Sequence, residues 1–231
     1  MVTGGGRGLG RAIALALGRE GADVALSHHQ SAAGARGVAD ALAAMGRRAN
    51  VAHADARVSG SLRAFVDGAA AGLGGIDVLV NNVGVFRRIP LDEIGDEALD
   101  EAFAVNVKAA VLATQAAAPH MRARGAGAVV NVASLGGLRP WKAYLPYCAT
   151  KAALIMATEC LALALAPEIR VNAVAPGVLE PPGASETVRG RIPKQRFGTL
   201  DEAVESVLFL ACGAGYTTGE VLRVDGGRAL A

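Results

Sequence analysis

Tyr147 and Lys151 stand four residues apart in the segment Tyr147-Cys148-Ala149-Thr150-Lys151. On a helix that spacing puts both side chains on one face. A free phenol, with a pKa of ~10, is a poor acid–base catalyst at neutral pH. An ammonium one turn away favours the phenolate, so Lys151 is expected to pull the Tyr147 pKa down. Lys151 can also hold a ribose. Thirteen residues before Tyr147, Ser134 ends the apolar run Val129-Val130-Asn131-Val132-Ala133. A serine at the carboxyl end of a strand can hydrogen-bond a substrate oxygen. Asn106 is a polar residue in the otherwise apolar stretch Phe103-Ala104-Val105-Asn106-Val107. It can hold a water that links Lys151 to solvent. Any one of these residues also fits a purely structural role; together they suggest proton transfer.

A second set of residues suits a phosphate-bearing ligand. Thr3-Gly4-Gly5-Gly6-Arg7-Gly8-Leu9-Gly10 leads into the helical pattern Arg11-Ala12-Ile13-Ala14-Leu15-Ala16-Leu17. Glycines let the backbone approach a pyrophosphate, and the following helix offers free N–H groups and the positive end of its dipole. The spacing is T-G-x-x-x-G-x-G rather than G-x-G-x-x-G. A ribose with a free 2′-OH calls for an acid after the second strand, yet none occurs between Asp23 and Asp40. Arg7, His29, Gln30 and Ser31 instead offer donors to a 2′-phosphate, which favours NADP(H) over NAD(H). Asp55, after the third strand, can accept from an adenine amino group. Asn81-Asn82-Val83-Gly84 is a small-residue turn where a ligand should lie in an open α/β sheet.

These groups need elements to position them. Short, nearly continuous apolar runs at 24–26, 50–53, 77–80, 128–132, 170–174 and 221–224 read as strands buried on both faces of a parallel sheet. Ala- and Leu-rich helical patterns at 10–19, 32–45, 60–71, 96–122, 147–165 and 200–212 alternate with them. The expectation is one α/β domain over residues 1–231, a Rossmann-type doubly wound parallel sheet with helices on both faces. Only Met1, Val2 and Thr3 precede the glycine turn, so the first strand is expected to be curtailed or to begin upstream.

Composition narrows the function classes. The 231 residues are 52% hydrophobic and 19% charged, with net charge +2 and no basic stripe. Nucleic acid and acidic membrane surfaces are poor partners for such a chain. Cys148, Cys160 and Cys212 have no metal-like spacing and suit a reducing cytoplasm. The most apolar stretch, 152–166, is too short for a bilayer span of ~20 residues.

In order and spacing these pieces resemble the short-chain dehydrogenase/reductase family over nearly the whole chain. The matching segments are T-G-G-G-R-G-L-G at 3–10, N-N-V-G at 81–84, N-V at Asn106, Ser134, and Y-C-A-T-K at 147–151. R-V-N-A-V-A-P-G at 170–177 and V-D-G-G at 224–227 complete the set. The resemblance implies hydride transfer between a nicotinamide and a carbonyl carbon. Tyr147 would be the general acid, Lys151 its modulator and ribose anchor, Ser134 the carbonyl-polarising donor and Asn106 the proton-relay residue. Pro176, Gly177 and Val178 would line the nicotinamide side. Helices at 96–122 and 147–165 would build the interface of a homotetramer or homodimer. The Thr frequent after P-G in the family is absent here, and Val83 replaces its usual Ala. A ketone or 3-oxoacyl-type carbonyl is the leading substrate class. A pteridine is the alternative, on the Pro-containing substrate loop at 179–196 and on Phe86. A catalytically silent cofactor-binding regulator is a third reading.

Overall fold

The computed structural model describes residues 1–179 and 186–231. Six parallel strands carry the fold: β1 (Val24–His28), β2 (Ala49–His53), β3 (Val78–Asn81), β4 (Gly127–Val132), β5 (Ile169–Pro176) and β6 (Val221–Val224). β1 pairs with β2, and β3 through β6 pair in chain order. The short N-terminal segment joins the two groups. Val2 N donates to Ala25 O (2.8 Å), Ser27 N to Val2 O (3.1 Å), Val80 N to Met1 O (2.9 Å) and Thr3 N to Val80 O (3.0 Å). Val2 therefore bridges Leu26 on one side and Val80 on the other, fully buried. The central slot expected to be nearly empty is filled by three residues. The order is β2, β1, the N-terminal segment, β3, β4, β5, β6. Its reversal of winding beside the glycine turn is where doubly wound sheets bind ligands.

The helices are α1 (Gly8–Arg19), α2 (Ala32–Ala44), α3 (Ser59–Leu73), α4 (Asp96–Phe103), α5 (Ala109–Ala123), α6 (Leu145–Leu165), α7 (Glu186–Arg189) and α8 (Leu200–Leu208). They cover both faces because the strands are apolar on both. Val129 and Val171 pack with Phe65, Val66 and Met121 of α3 and α5. Val130 and Val174, an odd number of residues further along the same strands, pack on the opposite side with Ile13, Leu17, Val204 and Leu210. Alternate residues on a strand face opposite ways, so a continuous apolar run serves two cores.

The stretch expected as one helix over 96–122 is interrupted. A π-helical turn, Ala104–Lys108, separates α4 from α5 and carries Asn106. A π turn holds an extra residue and tends to mark functional positions. α6 also differs from expectation. At 21 residues with mean hydropathy 1.6 it is long and apolar enough to cross a membrane, although the stretch 152–166 alone looked too short. Here it packs on β5, and Thr150, Lys151, Leu154 and Thr158 are buried along it. A polar relay fixes it to the sheet. Asn81 Nδ2 donates to Asn131 Oδ1 (2.9 Å), and Asn131 Nδ2 to Thr158 Oγ1 (2.9 Å).

Candidate active site

β4 ends at Val132, and the chain turns at Ser134 into a short helical turn, Leu135–Gly137. Gly136 N donates to Ser134 Oγ (3.0 Å), which fixes the serine rotamer under the carboxyl edge of the sheet. Gly137 packs directly on α6. A Cβ there would lie 2.7 Å from the Lys151 carbonyl carbon, so any side chain would push the helix away. α6 starts with Pro146 in its first turn, a position that needs no N–H. Tyr147 follows at once, and Lys151 comes one turn later on the same face.

The Tyr147 ring packs on Gly136, where a Cβ would lie 3.1 Å from its Cε1, and this brings the phenol beside the Ser134 hydroxyl. Burial pushes the phenol above its ordinary pKa, the Ser134 hydroxyl works against that, and Cys148 adds to the rise. This corrects the expectation that Lys151 lowers it. The reason is geometric. The Lys151 ammonium donates to Val132 O (2.7 Å) and sits 5.9 Å from the Tyr147 ring centroid, so it is spent on the sheet edge. Its own burial pulls its pKa down to about 8. A buried ammonium with one carbonyl partner is costly to keep charged, so its proton is held weakly.

Asn106 is also buried. Its Oδ1 accepts from Val85 N (2.7 Å), and its Nδ2 donates to Val85 O (3.1 Å) and Thr150 Oγ1 (2.9 Å). The amide thus pairs with the backbone after β3 as a strand residue would. A Cβ on Gly84 would lie 3.3 Å from Asn106 Oδ1 and 3.5 Å from Lys151 Nζ, so the two groups face one small space.

Beside this cluster lies a cleft of about 640 Å³. Gly4, Arg7, Gly8, Leu9 and Gly10 form one wall, and His29, Gln30, Ser31 and Asp55 line the cleft as well. Asn82, Val83 and Gly84 continue it toward Lys151. Every one of these had been expected from sequence to touch a cofactor. The turn fits one. Gly4 and Gly8 have φ of +67° and +52°, and a Cβ on Gly8 would meet nothing within 4 Å and project into open space. Gly10 is pressed against Gly4 O and the Asn82 amide. α1 begins at Gly8 with no side-chain cap and no acid in its first turn. Its first N–H groups are therefore available to an anion. Pro176, Gly177 and Val178 do not line this cleft among the described residues. They lie at the end of β5 beside β6, where Gly177 N donates to Val224 O (2.9 Å). Residues 180–185 of the substrate loop lie outside the described residues.

Arg57 is a cleft residue that the sequence did not reveal. Its guanidinium clamps Asp55, with Nη2 to Oδ2 at 2.7 Å and Nε to Oδ1 at 3.0 Å, and Nη2 lies 3.3 Å from His29 Nε2. The clamp holds the Asp55 carboxyl down at about 2. Only the two-residue offset from Asp55 could have suggested it.

Residues 1–191 match the short chain dehydrogenase family. Among curated relatives, the Granaticin polyketide synthase putative ketoacyl reductase 2 of Streptomyces violaceoruber is 37% identical over 98% of this chain and 94% of its own. The 4-formylbenzenesulfonate dehydrogenase of Comamonas testosteroni is 38% identical, covering 99% and 96%. A short chain dehydrogenase from Burkholderia cenocepacia, solved in complex with NADP, superposes with a TM-score of 0.94 at 39% identity, over 100% of this chain and 96% of that one.

Proposed function

The chain is an oxidoreductase of the short-chain dehydrogenase family with an NAD(P)-binding Rossmann fold, and on that premise we propose that it uses NADPH to reduce a ketone or 3-oxoacyl-type carbonyl. The observation that carries the reading is the Ser134–Tyr147 hydroxyl pair at the end of β4, beside the glycine cleft. A bound nicotinamide supplies the hydride in such chemistry. Tyr147 donates its phenolic proton to the carbonyl oxygen, and Ser134 donates a hydrogen bond to the same atom. The Lys151 ammonium, with a pKa of about 8, stays largely protonated at neutral pH and has two N–H donors beyond its Val132 bond to offer the nicotinamide ribose. Asn106 holds the segment after β3 against α6 and leads the returning proton toward Lys151. Pro176, Gly177 and Val178 flank the nicotinamide side.

The choice of NADPH rests on charge. The end of β1 carries no acid, and Arg7, His29 and Arg57 converge on the adenosine end of the cleft. Asp55, the acid there, is already bound by Arg57. Catalytic efficiency with NADPH is expected to exceed that with NADH clearly. A preference for NADH would sink the assignment.

Pterin reduction is the second reading, because Phe86 lies exposed beside Tyr147. Turnover of dihydrobiopterin with NADPH, and none of small β-ketoesters, would reverse the order. The chain is read as a single cytoplasmic domain that assembles as a homotetramer or homodimer. Leu163 and Met156 on α6 and Phe103 on α4, all exposed, suit a helical interface. Light scattering in solution reads the state directly.

A further inference from the structure

The chain holds nine aromatic residues, namely five Phe, three Tyr and one Trp. Four of them, Phe86, Trp141, Tyr144 and Tyr147, meet around the catalytic hydroxyl. Phe86 stacks on Tyr144 at 4.7 Å between centroids and 8° between planes. It meets Tyr147 edge-on at 4.7 Å and 72°. Trp141 lies nearly parallel to Tyr147 at 6.1 Å and 21°.

The cluster is held in place from outside the core. Ala143, between Lys142 and Tyr144, has φ of +64°, a conformation costly for a side-chain-bearing residue. Its carbonyl accepts from Ile89 N (2.8 Å), which ties the Trp141–Tyr144 turn to the segment carrying Phe86. The Arg228 guanidinium lies 5.5 Å over Trp141, and Arg139 holds the same C-terminal segment through Ala229 O (2.8 and 3.0 Å). A strained turn and two arginines are thus committed to presenting rings that the core does not bury. Phe86 remains 57% exposed and lines the cofactor cleft next to Val85 and Gly84.

An alkyl chain gains from any apolar wall in proportion to area, and aliphatic side chains serve it as well. Oriented ring faces and edges add a gain that a flat aromatic partner alone collects. We infer that this site takes a carbonyl attached directly to an aromatic ring, an aryl ketone or aryl aldehyde, with the ring against Phe86 and the carbonyl oxygen at Ser134 and Tyr147. The ring lies on the cluster and not within it. Centroids 4.7–6.4 Å apart leave no slot for an inserted ring, which needs ~7 Å between its two walls. In the reduction the C=O π bond breaks and its electron pair takes the Tyr147 proton. The carbonyl carbon gains a C–H bond from the nicotinamide, which is oxidised as the carbonyl becomes an alcohol. The inference rests on the NADPH-dependent carbonyl reductase reading.

The test is NADPH consumption with acetophenone, cyclohexyl methyl ketone, ethyl acetoacetate and dihydrobiopterin, for the native chain and for Phe86→Leu and Trp141→Leu. The aryl-to-alkyl ratio of kcat/KM is expected to fall about tenfold in Phe86→Leu, the worth of one stacked pair. Trp141 is the only tryptophan, so its fluorescence reports binding at this cluster directly. 1-Phenylethanol added to the native enzyme with NADP is expected to change that fluorescence at about tenfold lower concentration than 1-cyclohexylethanol. The inference is overturned if the alkyl ketones are preferred and Phe86→Leu lowers aryl and alkyl turnover equally, or if only dihydrobiopterin is reduced. Binding of NADPH without turnover of any carbonyl overturns the reductase reading itself, a separate and recognisable result.

Discussion

The two halves of the site are built by opposite means. At the cofactor cleft the contacts come from backbone, from glycines whose missing side chains make room, and from an uncapped helix start. At the reacting end the contacts come from side chains, each buried and tied down: Asn106 to Val85, Ser134 to Gly136, Lys151 to Val132. The lesson is that the first half should be sensitive to adding atoms and the second to removing them.

Tyr147→Phe is the strongest test of the second half. It removes one oxygen and should cut turnover by roughly 10²–10⁴-fold, with NADPH affinity within a few-fold. Steady-state rates and a binding titration check it, and near-native turnover would break the scheme. Lys151 gives the next largest effect. Its folded pKa, about 8, lies below the unfolded value near 10.5, so the unfolded chain binds more protons between those pH values. Stability from this group therefore rises with pH across that window, by up to roughly 3 kcal/mol without cofactor. Urea unfolding at the two ends of the window should show the rise in the native chain and lose it in Lys151→Met. A comparable slope in both would mean the ammonium is not held where it is drawn.

For the first half, Gly10→Ala adds one methyl against Gly4 O and the Asn82 amide. Overpacking of this kind costs about 1–3 kcal/mol. The dissociation constant for NADPH should rise on the order of tenfold or more, while the circular dichroism of the free protein changes little. Arg57→Ala gives the smallest effect. It should lower the NADPH-to-NADH efficiency ratio by about fivefold or less, the worth of one exposed charge pair. An unchanged ratio would move the phosphate contact to Arg7 and His29 alone.

The sequence disclosed the two halves unequally. Glycine spacing and apolar runs are local patterns, so the cleft wall from Gly4 to Gly10, the Asn82–Gly84 turn and all six strands could be read directly. The Tyr147–Lys151 helix and Ser134 at a strand end were equally legible. What escaped depends on contacts across the fold. The π turn at Ala104–Lys108 breaks no apolar pattern, because Asn106 finds its partners in Val85 and Thr150 far along the chain. Arg57 looks like any surface arginine until β1 and β2 bring His29 beside it. The Tyr147 pKa went the other way because helical spacing says nothing of the Val132 carbonyl that takes up Lys151. Gathering Trp141 and Tyr144 onto Phe86 requires Ala143 in a conformation that alanine does not advertise.

The segment Met1–Thr3 has a kinetic meaning as well. Main-chain bonds from it stitch β1 to β3 across the 49 residues that separate them, and Gly4 follows immediately. The sheet cannot close along this seam until that distant pairing forms, a late and slow kind of event in folding. The amides of Ser27 and Val80 are its natural reporters. A dinucleotide seated on the adjoining glycines binds only the stitched form, so hydrogen exchange at those two amides should slow as ligand concentration rises.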